Sequence, residues 1–167
     1  MPAVHGARDQ YLPDAAQRGL NQAPRGAYNR CTQTLVLERG SAPLLVSLPH
    51  DASAIPPEIA AGMHDAARAA ADTDWHVARL YAIARAFDAS ILRPLVSRYV
   101  VDLNRPVDGG LLYPGQRETG VVPMVTFADE PIYRTGTAPD AVALAARVAR
   151  WWRPYHEALA AELARLR

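Results

Sequence analysis

The chain has 167 residues, half of them hydrophobic and 21% charged, with a formal net charge of +1. That length suffices for one domain with a buried core, and the charge is too small for electrostatic binding to nucleic acid or an anionic membrane. All 18 basic residues are arginine and the one cysteine, Cys31, stands alone, which excludes lysine Schiff-base chemistry, an internal disulfide and a thiolate metal cluster.

Residues 1–30 are rich in Arg, Gly, Pro, Gln and Asn without periodicity, and are read as a flexible arm ahead of an α/β domain spanning 31–167. TLVLE (34–38) and PLLVSLP (43–49) read as two short strands around the turn Arg39-Gly40-Ser41. The second is apolar on both faces, which places it inside a sheet. Pro56-Pro57-Glu58 opens a helical segment. Asp72-Thr73-Asp74 signals another, in which Trp75, Val77, Leu80, Tyr81, Ala84 and Phe87 follow at helical spacing. SILRP (90–94) and SRYVVDLNR (97–105) are the next strand candidates. LLYPGQRETG (111–120) is a loop, and VVPMVTF (121–127) adds a strand held to an edge by Pro123. Thr137 and Pro139 begin a last helical pattern running nearly to Arg167, with Pro154 predicting a kink near Trp152. Alternating strands and helices predict a layered α/β fold with a mostly parallel sheet. No apolar run has the length of a membrane span and the N-terminus lacks a signal peptide's hydrophobic segment, so a cytoplasmic location is expected.

Ligands of open α/β sheets bind beyond the carboxyl ends of the strands. Two predicted strands end on polar clusters there, at His50-Asp51 and at Asp102 to Arg105. Arg105 can grip a carboxylate through two parallel hydrogen bonds, Asn104 can add an amide contact, and Asp102 can hold either in place. An Asp-Asn turn with a solvated Arg105 fits the same residues. His50, after a rigid proline, can meet a metal or can cap a turn. Asp72-x-Asp74-x-His76 offers donors suited to a divalent ion, although helix capping explains Asp72 or Asp74 equally well. His5, His64 and His156 are expected to carry no chemistry. Dinucleotide-binding, Walker A, zinc-helix and nucleophile-elbow motifs are missing.

LLVSLPHDASAIPPEIAAGM, DTDWHVARLY, SRYVVDLNRP, LLYPGQRETG and WWRPYHEALAAELARLR, in that order, together resemble the N-formylglutamate amidohydrolase family. The resemblance implies a zinc-exopeptidase-like α/β fold and metal-dependent hydrolysis of N-formyl-L-glutamate to formate and L-glutamate in histidine breakdown. It implies a small acidic N-acyl amino acid as the binding partner and zinc, or another divalent metal, as cofactor. Carried onto this chain, Asn104 and Arg105 bind a substrate carboxylate and Arg98 is a second carboxylate contact. His50 is the first metal ligand and Asp74 the acidic one, with Asp72 as its alternative. Two positions depart from the family: Ala52 stands where a glycine is usual, and Ser53 where related zinc peptidases place a glutamate. The family's chain also continues past the position of Arg167, so the third ligand and the general base are expected beyond it and this chain is expected to lack part of the site. A related zinc amidase acting on another acidic N-acyl substrate, or a non-catalytic carboxylate-binding remnant, are the alternative readings.

Overall fold

The computed structural model describes residues 33–109 and 119–167. The arm expected at 1–30, Cys31 and most of the loop expected at 111–120 lie outside the described residues.

Three segments of high β propensity form the sheet: β1 (Leu35–Glu38), β2 (Leu45–Ser47) and β3 (Ser90–Pro94), in the order β1-β3-β2. β1 runs antiparallel to β3, with Leu35 opposite Pro94 and Glu38 opposite Ile91, whereas β2 runs parallel to it, with Leu45 opposite Ser90. Among the described residues the sheet is therefore mixed rather than mostly parallel. Among the described strands β3 is central, and β2, expected inside the sheet, stands at one edge. The connection between β1 and β2 must pass the end of β3, and Gly40 makes this possible. A Cβ on Gly40 would sit 1.9 Å from the Asp88 carbonyl oxygen, so no larger residue fits the close approach.

β3 alternates as a strand buried on both faces should. Ser90 and Leu92 point toward α4 (Arg153–Arg165): the Ser90 hydroxyl donates to Glu162 at 2.6 Å, and Leu92 joins the main core with Tyr155. Ile91 and Arg93 point the other way. Ile91 packs with Leu48, Ala84 and Ala89 in a smaller core, and Arg93 donates to Asp51 at 2.6 Å. The sheet thus lies between α4 and the segment holding α2 (Val77–Leu80) and the 3₁₀ turn Tyr81–Phe87. Asp51 ties that segment down by accepting from the Ala78 N–H at 3.0 Å.

Three other expectations are corrected. The helix expected after Asp74 is one turn of α-helix followed by 3₁₀ geometry, in which residues three apart eclipse and a 3.6-residue stripe cannot stay on one face. Trp75, Leu80, Tyr81 and Phe87 are accordingly exposed and only Ala84 is buried. Residues 97–105 form turns and not a strand. Ser97 closes the first, its hydroxyl accepting from the Tyr99 N–H and its carbonyl from the Val100 N–H. Tyr99, Val100 and Val101 are buried in the main core all the same, so their β propensity reflected burial without a ladder. Residues 121–127 contribute only an isolated bridge between Val125 and Pro131.

The last helical pattern forms as expected. Asp140 caps α3 (Ala141–Arg147) by accepting from the Ala143 N–H at 2.8 Å. Pro154 removes one intrahelical donor, and the chain absorbs the loss in a π-helical turn at Val148–Trp152 before α4 continues. Short α1 (Pro57–Ala60) lies beside α3. No described helix is long and apolar enough to cross a membrane.

Candidate active site

β2 and β3 are parallel, so both deliver their carboxyl ends to the same edge of the sheet. β2 leads directly into Pro49-His50, its last ladder contact being the Leu48 N–H to the Leu92 carbonyl at 2.9 Å. β3 leads through Leu95 and Val96 into Arg98 and Asp102. Two loops expected to carry chemistry thereby meet.

Asp102 stands at their junction. It is fully buried and accepts three hydrogen bonds. His50 Nε2 donates to Oδ1 at 2.7 Å, the Asn104 backbone N–H to the same oxygen at 2.9 Å, and Arg98 to Oδ2 at 2.6 Å. Burial alone would push this carboxyl up. The His50 contact, the Arg98 guanidinium and the Asn104 N–H outweigh it and hold the group below its ordinary range, hence ionised. Arg98 is itself buried and stacks over the Phe127 ring at 4.6 Å.

The Asp102 contact fixes His50. With Nε2 committed to Asp102, Nδ1 is the other ring nitrogen, and it faces Asp74 Oδ2 at 3.6 Å. The two groups are side by side because the Asp74 N–H donates to the His50 carbonyl at 3.0 Å. Asp74 remains half exposed, its side chain 48% accessible. A ring nitrogen facing a carboxylate is satisfied either by a proton on that nitrogen or by a metal ion shared with the carboxylate. Two ligands about 2.0–2.1 Å from a tetrahedral zinc lie roughly 3.4 Å apart, close to the observed spacing. The carboxylate behind the ring is the usual partner of a metal-binding histidine. His50 and Asp74 therefore fit two positions of a metal site. Among the described residues no group of three or more His, Cys, Asp or Glu side chains forms a metal cage. Asp72, the alternative ligand, instead accepts from the Phe127 N–H at 2.9 Å, and His76 is exposed with φ at +65°.

Asn104 is exposed and Arg105 half buried, both in the turn that follows Asp102. Their backbone is clamped from α4 and the π turn: Trp152 Nε1 donates to the Arg105 carbonyl and His156 Nε2 to the Leu103 carbonyl, each at 2.9 Å. The two rings stack with centroids 3.8 Å apart. Burial pushes the His156 imidazole down, which keeps it a neutral donor near pH 7. The sequence reading gave His156 no role. Its signal was present in Trp152 and His156 at i and i+4, one helical face, but their partner is a backbone carbonyl that no side-chain pattern encodes.

The site thus joins a histidine and carboxylate facing a common point, a buried carboxylate fixing that histidine, and an asparagine and arginine on a rigid turn. Residues 42–167 match the N-formylglutamate amidohydrolase family. Over 135 residues the chain is 46% identical to an N-formylglutamate deformylase of Pseudomonas aeruginosa and 40% identical to one of Pseudomonas putida. Each alignment covers 81% of this chain and 50% of the relative, so the chain spans about half the length of the curated relatives it matches. The fold is similar to a crystal structure of N-formylglutamate amidohydrolase from Ralstonia eutropha (TM-score 0.64, 24% identity, 80% of this chain and 51% of that one). It is also similar to a gene product of Agrobacterium tumefaciens (TM-score 0.55, 20% identity, 80% and 50%).

Proposed function

Because the chain belongs to the N-formylglutamate amidohydrolase family, we propose that its site serves the metal-dependent hydrolysis of N-formyl-L-glutamate to formate and L-glutamate. The observation that carries this reading is the His50 ring, held at Nε2 by a buried carboxylate and directed through Nδ1 at Asp74.

His50 and Asp74 would hold a divalent ion, which when bound supplies Lewis acidity at the formyl group and acidifies water. Arg105 and Asn104 bind a glutamate carboxylate, and the Trp152 and His156 clamp holds their turn still so that the formyl carbon is presented toward Asp74. Asp102 fixes the tautomer of His50 and neutralises Arg98. Arg98, with one terminal nitrogen committed to Asp102 and its face on Phe127, offers its remaining N–H donors to the second carboxylate. A second reading, carboxylate recognition without turnover, is favoured by one observation: only two donors converge among the described residues.

Calorimetric titration of the purified chain with N-formyl-L-glutamate, with zinc present, tests the proposal. Saturable binding is expected, absent for N-formyl-L-leucine and weakened about 30- to 150-fold in Arg105→Ala, the equivalent of about 2–3 kcal/mol for a lost charge-assisted pair. Equal binding of both ligands, or an unaffected Arg105→Ala variant, refutes it. Formate measured in the same samples separates the two readings.

A further inference from the structure

A pocket lies between α1 and α3, two of its lining residues, Tyr133 and Arg147, donating to the Tyr99 and Val100 carbonyls. Its volume is about 330 Å³, and it shares no residue with the cluster around His50. That space matches the small end of ligand pockets. Its lining combines apolar Ile59, Ala146 and the largely buried Trp151 with Tyr133, Arg147 and Arg150, the last lying over the Trp151 ring at 4.6 Å.

Arg147 sets its chemistry. It is only 8% exposed, and among the described residues it faces no carboxylate. Its hydrogen bonds go to the Tyr133 hydroxyl at 2.6 Å and the Val100 carbonyl at 3.4 Å, and both leave from the same terminal nitrogen, Nη1. Nη2 and Nε have no acceptor among the described residues, although a guanidinium offers five donors in a planar fork. A buried cation is ordinarily paired, and this one has only neutral acceptors and an open pocket beside it. Glu58 at the rim lies 3.8 Å from Arg150, both largely exposed, so the rim is balanced while the interior keeps one uncompensated positive charge. That favours a single negative charge over a phosphate dianion.

We propose that this pocket binds a small organic monocarboxylate, its head on the Nη2–Nε edge of Arg147 and its hydrocarbon body against Ile59, Ala146 and Trp151. The site is independent of the one assigned to hydrolysis, and its occupant would sit behind the turn that connects Arg98 to Asp102, since Arg147 and Tyr133 hold the Val100 and Tyr99 carbonyls there.

Hexanoate is the probe, with hexanamide as its uncharged counterpart, followed by calorimetry and by the Arg147 Nε–H resonance. Expected is one saturable site for hexanoate with a Kd below about 10 mM, a shifted Arg147 resonance, and hexanamide at least tenfold weaker. Ala146→Phe fills the pocket from an exposed helical position and removes binding, while Arg105→Ala leaves it unchanged. Arg147→Met also removes it, and where that variant fails to fold, Ala146→Phe decides. No saturation by hexanoate, equal binding of hexanamide, or undiminished binding by Ala146→Phe overturns the proposal, and loss in Arg105→Ala reassigns the binding to the other site.

Discussion

Replacing Asp102 with asparagine changes one atom and tests the centre of the site. The carboxylate receives three donors, from His50, Asn104 and Arg98, and offers only acceptors. An amide must turn its NH₂ toward one side. Turned toward Arg98, it opposes a buried guanidinium and leaves that charge unpaired. Turned toward His50, it leaves the Asn104 N–H without an acceptor and forces the ring to donate from Nδ1, which removes the lone pair facing Asp74. Breaking a buried ion pair by removing one partner costs about 3–5 kcal/mol. At about 3 °C per kcal/mol for a chain of this size, Asp102→Asn should lower Tm by roughly 10–15 °C at pH 7. The sign of the pH dependence follows from a carboxyl held below its ordinary value. Its stabilisation is complete above that ordinary value, 3.8, and is lost as pH falls through the folded-state value. The two proteins should therefore converge in stability in acid. Thermal unfolding from pH 7 down to pH 3 measures this, and a Tm loss under about 3 °C at pH 7, or a gap that widens in acid, would refute the reasoning.

Glu162→Gln should lower Tm at pH 7, because Arg165, Ser90 and Arg39 hold that buried carboxyl down to about 2. Since the group is depressed from 4.5, the difference should persist above that value and fade toward pH 2 in the same melts. Gly40→Ala should cost more than about 2 kcal/mol in denaturant unfolding, its Cβ meeting backbone that cannot step aside; a neutral result would contradict the close approach. Trp152→Phe removes one clamp on the Arg105 carbonyl and should weaken N-formyl-L-glutamate about tenfold with Tm lowered only a few degrees, and unchanged affinity counts against the clamp. With two donors converging among the described residues and three protein ligands usual for catalytic zinc, the zinc-loaded chain should release formate far below about 1 per second. Faster release would show that a further donor acts from outside the described residues.

Legibility in the sequence followed burial and local rules. β1, β2 and β3 were readable because each apolar run is bounded by turn residues, and the break near Trp152 because Pro154 cannot donate. The pairing order was not readable, since the apolar faces of PLLVSLP and SILRP are alike. What decides between them is a tertiary fact, the passage of Gly40 against Asp88 and the covering of Ser90 by Glu162. SRYVVDLNR misled because three consecutive core residues look like a strand, although Ser97 turns the chain through its own hydroxyl. The end of that segment answers differently from its middle. Asp102 terminates it inside the protein because three donors converge there, two of them, His50 and Arg98, separated by 48 positions in the chain. His50 and Asp74 were readable as candidate donors; that they face one point was not, because a backbone hydrogen bond sets them together.

The account turns on the proposal that His50 presents Nδ1, and not Nε2, to a metal. A zinc titration of the chain followed in histidine-selective ¹⁵N spectra resolves the two ring nitrogens. The prediction is that Nδ1 of His50 takes up the metal while Nε2 stays protonated against Asp102, and that Asp74→Ala weakens the response at least tenfold. Binding through Nε2, or a His50 spectrum indifferent to zinc while another histidine responds, would contradict it.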